Sequence, residues 1–148
     1  MLVLSCASTA LSIGEITMPS TLVEVRRSYS PEQETFIVEA VHAALVDGFK
    51  IPNEDRCVRL LTYEPHLFIC SPKLDQPERY TVVTVTAFAG RSLDAKRNLY
   101  RGIVERLDRL GIPPSHVKII LNEVPRDNWG LRGGKPASEV ELGFTVAV

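Results

Sequence analysis

Residues 81–124 read TVVTVTAFAGRSLDAKRNLYRGIVERLDRLGIPPSHVKIILNEV, and this stretch decides the fold. It opens on a β-branched run, Val82-Val83-Thr84-Val85-Thr86, which predicts a strand over 81–88. Ser92 then caps a helix predicted over 93–110, with Asp94 complementing the dipole in its first turn. Leu99, Ile103, Val104, Leu107 and Leu110 recur at helical spacing and form one apolar stripe. Gly111 closes the helix in a left-handed turn, Ile112-Pro113 follows, and Val117-Lys118-Ile119-Ile120-Leu121 begins a second strand over 117–124. A strand, a helix and a strand in this order predict two parallel strands joined by a right-handed crossover.

The same order occurs upstream. A strand is predicted over 22–26, a helix over 31–49, then Ile51-Pro52, then a strand over 58–63. Ser30 caps the helix, Pro31 takes its first position, and Gln33 completes a capping box. Phe36, Ile37, Ala40, Val41, Ala44 and Leu45 make its stripe, and Gly48 lies near its end. Ile51-Pro52 and Ile112-Pro113 stand 61 positions apart, as do the strand starts Thr21 and Val82. Two copies are too few for a solenoid. The expected fold is therefore α+β: duplicated β-α-β units forming one four-stranded sheet, with two helices on one face. The other face is left bare, which predicts self-association through it. The tail over 139–146 alternates like a strand without a partner in the repeat, and is expected to pair with a neighbouring subunit or fold back as a hairpin.

Composition sets wide bounds. The chain has 148 residues, 45% hydrophobic and 24% charged, which fits one soluble globular domain. A net charge of -1 offers no electrostatic case for nucleic acid or an anionic membrane. No apolar stretch approaches the roughly 20 residues that span a bilayer. Cys6, Cys57 and Cys70 share no metal-ligand spacing, and their odd number suits a reducing, cytoplasmic compartment. His42, His66 and His116 fall on separate elements, so no metal site is expected; His42 is expected partly exposed or against a packed face of its helix. Residues 1–17 are apolar but carry no Lys or Arg before the apolar run, unlike a secretory leader. They are read as a mis-assigned, disordered or removable leader, with residues 18–148 forming the domain.

Chemistry concentrates at Met18-Pro19, directly before the first strand. A chain beginning at Pro19 would present a secondary amine. An α-amino group titrates near pH 8. Apolar walls or a nearby guanidinium lower that value toward neutrality, giving an acid or base usable at physiological pH. With the preceding residues attached, the same nitrogen is an amide without basicity, and Pro19 is then a proline opening an edge strand.

Met18-Pro19, the doubled β-α-β, Ile51-Pro52-Asn53-Glu54-Asp55-Arg56, Gly90-Arg91-Ser92 and Val124-Pro125-Arg126-Asp127-Asn128-Trp129-Gly130 together resemble the tautomerase superfamily. The resemblance runs from Met18 to about Gly134 and is strongest to the branch containing malonate semialdehyde decarboxylase. It implies a trimer with a catalytic amino-terminal proline and no cofactor. It implies that Pro19 carries the proton and that Asp55, at the family's distance from it, orients water or substrate. It implies that Arg91 holds a substrate carboxylate, a role suited to a guanidinium fork beside a helix start. Trp129 matches an aromatic pocket wall. The alternatives are an exposed Asp55 paired with Arg56 at the surface, a solvated Arg91, and a Trp129 that only packs the carboxyl-terminal loop. Two positions depart from the decarboxylase pattern. Ala89 stands where that branch carries a first arginine, and Leu131 stands where it carries a second aromatic. Losing the cation argues against malonate semialdehyde decarboxylation and for keto–enol tautomerisation of a small carboxylate. The other readings are a decarboxylase or hydratase of a 3-oxo or unsaturated acid, and a non-catalytic oligomeric binding protein with a blocked terminus.

Overall fold

A computed structural model describes residues 18–131, 133–143 and 145–148; the expectations for residues 1–17 lie outside them. The main elements are β1 (Ser20–Arg26), α1 (Pro31–Phe49), β2 (Val58–Tyr63), β3 (Thr81–Phe88), α2 (Leu93–Asp108) and β4 (Val117–Val124). They form one sheet in the order β2-β1-β3-β4. The pairs β1–β2 and β3–β4 are parallel, as the repeat predicts, and the two units join through an antiparallel β1–β3 pair.

The helix starts behave as the sequence implies. The Ser30 amide donates to Gln33 Oε1 at 2.9 Å, and Ser30 Oγ accepts from the Gln33 amide at 3.3 Å. Ser92 Oγ accepts from the Ala95 amide at 3.1 Å. The second helix ends at Asp108, two residues before the predicted end, because the chain tightens there. The Gly111 amide donates to the Asp108 carbonyl at 2.9 Å and the Ile112 amide to that of Leu107 at 3.2 Å. With Gly111 at φ 86°, this is a left-handed cap closing the orphan carbonyls. Lys50, 61 positions earlier, takes the same conformation at φ 54° without being glycine.

Val23 and Val25 of β1, Val83, Val85 and Ala87 of β3, and the stripes of both helices bury into one core. The stripe of α1 is Ile37, Ala40, Val41, Ala44 and Leu45; Phe36, expected within it, stands at the rim, 41% exposed. Gly48 lies inside the last turn of the helix, as expected. A Cβ built there would lie 2.9 Å from the Leu99 Cα. The glycine thus permits the backbones of α1 and α2 to approach closely, and Arg106 of α2 pairs with Asp47 beside it.

The opposite sheet face carries Leu22, Glu24, Arg59, Leu61, Lys118 and Ile120, with Leu61 and Ile120 exposed. In one chain it is uncovered, as expected. Of the two expectations for the tail, the hairpin does not form among the described residues. Ala137–Glu139 is a single 3₁₀ turn, and no described residue beyond it is in a strand. Before the tail, Gly130 and Pro136 form an isolated antiparallel bridge. The chain end returns to α2, where the Ser92 amide donates to the Val148 carbonyl at 2.7 Å. Alternation in this segment reflects contact with its own domain, since Leu142 is buried in the core and Val146 packs on it.

Gly48→Ala places a methyl against backbone that has no rotamer with which to yield. Urea melts should show a loss of about 1–3 kcal/mol. A variant as stable as the parent would remove this crossing as a constraint on the fold.

Candidate active site

The register of β1 assembles one end of the sheet. Thr21 is level with Val58, and Ser20 with Thr86. Continuing both ladders places Pro19 beside Arg56 and Ala87, and Met18 beside Asp55 and Phe88. The same end receives the exit of β4, because Phe88 is level with Val124 and the Ala89 amide donates to the Val124 carbonyl at 3.0 Å. Pro19, the 53–57 loop, the 88–91 turn and the segment leading to Trp129 therefore converge from four strands.

Arg91 is buried in this end, not solvated. Its guanidinium lies over the Phe49 ring, 4.4 Å from the centroid, and Nη1 donates to the Phe88 carbonyl at 3.1 Å. Nε and Nη2 are also buried and have no partner. These two nitrogens form one edge of the guanidinium, the edge that meets a carboxylate with two parallel bonds. Burial pulls the Arg91 pKa below its usual value, with Glu123 opposing the shift. Among the described residues Arg91 is the only buried Lys or Arg. A desolvated cation with an open edge favours an anion strongly.

Asp55 is buried too, and the surface pair with Arg56 does not form; Arg56 pairs with Glu39 instead. Asp55 Oδ2 has no hydrogen-bond partner. Burial first, and then Glu54, push its pKa up to about 6, with His42 pulling the other way. Of the two expectations for His42, partial exposure and a packed face, the second holds, since it is only 3% exposed. Its Nε2 sits 3.0 Å from the Asn53 carbonyl and 3.3 Å from Asn53 Oδ1, tying α1 to the loop that carries Asp55.

Trp129 is half-buried and meets the Phe88 ring edge-on, with centroids 5.6 Å apart. Leu131 is buried against the core, and its amide donates to the Lys135 carbonyl at 2.8 Å. Pro19 is buried, and Met18 beside it is fully enclosed. Sequence reasoning missed Phe49 and Phe88. Their only signal was position, one ending the first helix and the other one residue before Ala89.

Residues 55–132 match the family described as "Tautomerase enzyme". The chain belongs to the tautomerase family. Within it, the 2-hydroxymuconate tautomerase of Pseudomonas fluorescens is 38% identical over 52 residues, covering 34% of this chain and 81% of that tautomerase. Among solved structures, a malonate semialdehyde decarboxylase inhibited by 3-bromopropiolate is 29% identical, with TM-score 0.68 over 75% of this chain and 87% of its own. A symmetric trimer of wild-type fused 4-OT shares the fold at TM-score 0.70 and 22% identity, over 80% and 95% of the two chains. The tautomerase match begins at Asp55 and so includes Arg91, Trp129 and Leu131. No helix among the described residues is long and apolar enough to cross a membrane.

The Asp55 shift has a sign that can be measured. A carboxyl whose folded pKa is about 6 against a usual 3.8 binds its proton more tightly in the folded chain. Stability should therefore fall as pH rises from about 4 to about 6, and the penalty should persist above that window. Asp55→Asn should flatten the decline in urea melts, and the Asp55 carboxyl carbon should titrate near pH 6 by NMR. A midpoint near 4 would contradict the buried, unpartnered carboxyl.

Proposed function

We propose that this tautomerase family member is a cofactor-free enzyme that moves a proton between carbon and oxygen of a small 2-oxo acid, with Pro19 as amino-terminal acid and base. The observation that carries this reading is the buried, unpartnered Nε/Nη2 edge of Arg91 at the same sheet end as Pro19. A substrate carboxylate would take that edge. The carbonyl beside it would then lie in a positive field that stabilises negative charge on the enolate oxygen. The carbon next to the carbonyl is already acidic, and the Pro19 amine, kept among apolar neighbours, would remove and return its proton. Asp55 would orient the substrate or a water.

The reading requires that the chain be processed to Pro19. Met18 fills an enclosed space next to Pro19. Its removal would free the nitrogen and clear that space together. The open sheet face is proposed to bury against two further copies, giving a homotrimer as in the fused 4-OT trimers. A second reading has support of its own. With Met18 attached and fully enclosed, the domain is well packed and Pro19 has no basic nitrogen. That form would be an oligomeric binding protein without catalysis. Decarboxylation or hydration of a small 3-oxo or unsaturated acid is the third, supported by the position of Asp55 and the likeness to the decarboxylase.

Intact mass of the native protein separates the first two readings, since catalysis requires a species beginning at Pro19. That species should accelerate ketonisation of phenylpyruvate enol, and Pro19→Ala should lower the rate about 10²–10⁴-fold. An unaltered rate would remove Pro19 as the proton carrier. Arg91→Ala should lower kcat/KM about 10–100-fold, chiefly through KM, by deleting a charged bidentate contact. Sedimentation should give a trimer at micromolar concentration, and a monomer there would refute the assembly.

A further inference from the structure

The end of the sheet opposite Pro19 holds a second pair of unspent donors. Tyr29 Oη and Arg79 Nη1 are buried and have no hydrogen-bond partner among the described residues. They belong to one contact, since the Arg79 guanidinium carbon lies over the Tyr29 ring, 5.0 Å from its centroid. Their placement follows the duplication. Tyr29 stands directly before the cap of α1, as Arg91 stands directly before the cap of α2. Arg79 stands two residues before β3, as Met18 stands two residues before β1. The ladders of β3 fix which end this is, because Thr81 is level with Val25 of β1 and with Val117 of β4. The backbone around the pair is tied on both sides. Ser28 Oγ donates to the Glu78 carbonyl at 3.3 Å, Thr81 Oγ1 to the Arg79 carbonyl at 2.9 Å, and the Arg79 amide to the Gln76 carbonyl at 2.9 Å. No carboxylate among the described residues pairs with Arg79; Asp75 of the same segment lies 3.2 Å from His116 Nε2 instead. A guanidinium nitrogen can only donate, and a phenol has a proton to give. Buried donors left unmatched oppose folding until something accepts from them.

We propose that Tyr29 and Arg79 form a second anion site that takes one small monocarboxylate, with one oxygen on Arg79 Nη1 and the other on the Tyr29 hydroxyl. One positive charge matches one negative charge, and two donors match two oxygens. A phosphate dianion would bring a second charge and further oxygens into a place that answers neither. The donor atoms are enclosed, but Tyr29 and Arg79 are only half-buried as residues, so the pair lies just beneath the surface and a rotation of the Arg79 side chain admits the anion. This end binds without proton transfer, since Tyr80 stands here where Pro19 stands in the other unit.

The full chain carrying Arg91→Ala, which removes the other proposed carboxylate site, is titrated with sodium acetate and with sodium chloride at equal ionic strength. Acetate should raise Tm saturably by about 2–4 °C, and chloride should not. Tyr29→Phe in the same background should weaken acetate about tenfold, the loss of one hydrogen bond to a charged group. Arg79→Met should abolish the effect. Without acetate, Tyr29→Phe should be at least as stable as its parent, because it deletes an unmatched hydroxyl and keeps the ring. A second measurement needs no change at Arg91. The guanidinium nitrogen signals of Arg79, assigned by their loss in Arg79→Met, should move saturably with acetate in NMR of the unaltered chain. Equal effects of chloride, an acetate effect that survives both substitutions, or tighter binding of phosphate overturns the site. An Arg79 signal that acetate leaves in place overturns it too, and assigns the two donors to a bridging water.

Discussion

The site depends on β1 holding two hydrogen-bonded neighbours at once. Its ladder to β2 runs parallel and its ladder to β3 antiparallel, and each fixes the other. A slip by one residue would turn Val23 and Val25 out of the core and Leu22 and Glu24 into it. Burial of the valines therefore locks the register, and the register alone determines what lies beside Pro19. The composition of the candidate site is a consequence of core packing in the middle of the strand. The close α1–α2 crossing at Gly48 and Leu99 supports the same alignment from below, because it holds the two units over one sheet.

Against that ordered frame, the buried polar atoms of Arg91 and Asp55 are costly. Each lacks a partner where water is excluded, and such a group opposes folding by about 1–3 kcal/mol, more when charged. The stacking of Arg91 on Phe49 and its bond to the Phe88 carbonyl hold the guanidinium in place without satisfying its outer edge. Asp55 is likewise positioned through its loop, which His42 and Asn53 tether to α1, rather than through its own oxygens. Orientation comes from groups that leave Arg91 Nε and Nη2 and Asp55 Oδ2 unpaired. This is the arrangement that a ligand completes and that stability alone would not select.

Much of this was legible beforehand because it is periodic. The doubled spacing, the capping box at Ser30 and Gln33, and the β-branched strands are local signals, and the structure follows them. What was not legible depends on contacts between distant segments. Gly48 has no visible role in the sequence until Leu99 is brought against it. His42 falls among apolar helix positions, and only the folded loop explains it by offering the Asn53 carbonyl. The tail alternates as a strand does, yet its partners are α2 and the core, which no alternation can announce. Arg91, Asp55, Trp129 and Leu131 were found through likeness to a family; their convergence required the strand register. The open edge of Arg91 could not be read from sequence at all, since it is defined by which nitrogen the Phe88 carbonyl occupies.

The duplication also shows why the two ends of the sheet are not equivalent. Sixty-one positions after Asp55 stands His116, also buried, but its two ring nitrogens have neighbours in Ser115 Oγ at 3.0 Å and the Gln76 amide at 3.2 Å. Sixty-one positions after Pro19 stands Tyr80, in the middle of the chain, where no free amine can arise. Ser30 caps α1 as Ser92 caps α2, so the residue before the cap is Tyr29 in the first unit and Arg91 in the second. Phe68 corresponds to Trp129 and packs between Tyr63 and Tyr80, closing that end with aromatic rings. One unit thus fills its equivalent positions mainly with rings and a cap, while the other leaves a cation edge and a carboxyl oxygen unmatched. The two units share a backbone arrangement and differ in the side chains set at equivalent positions.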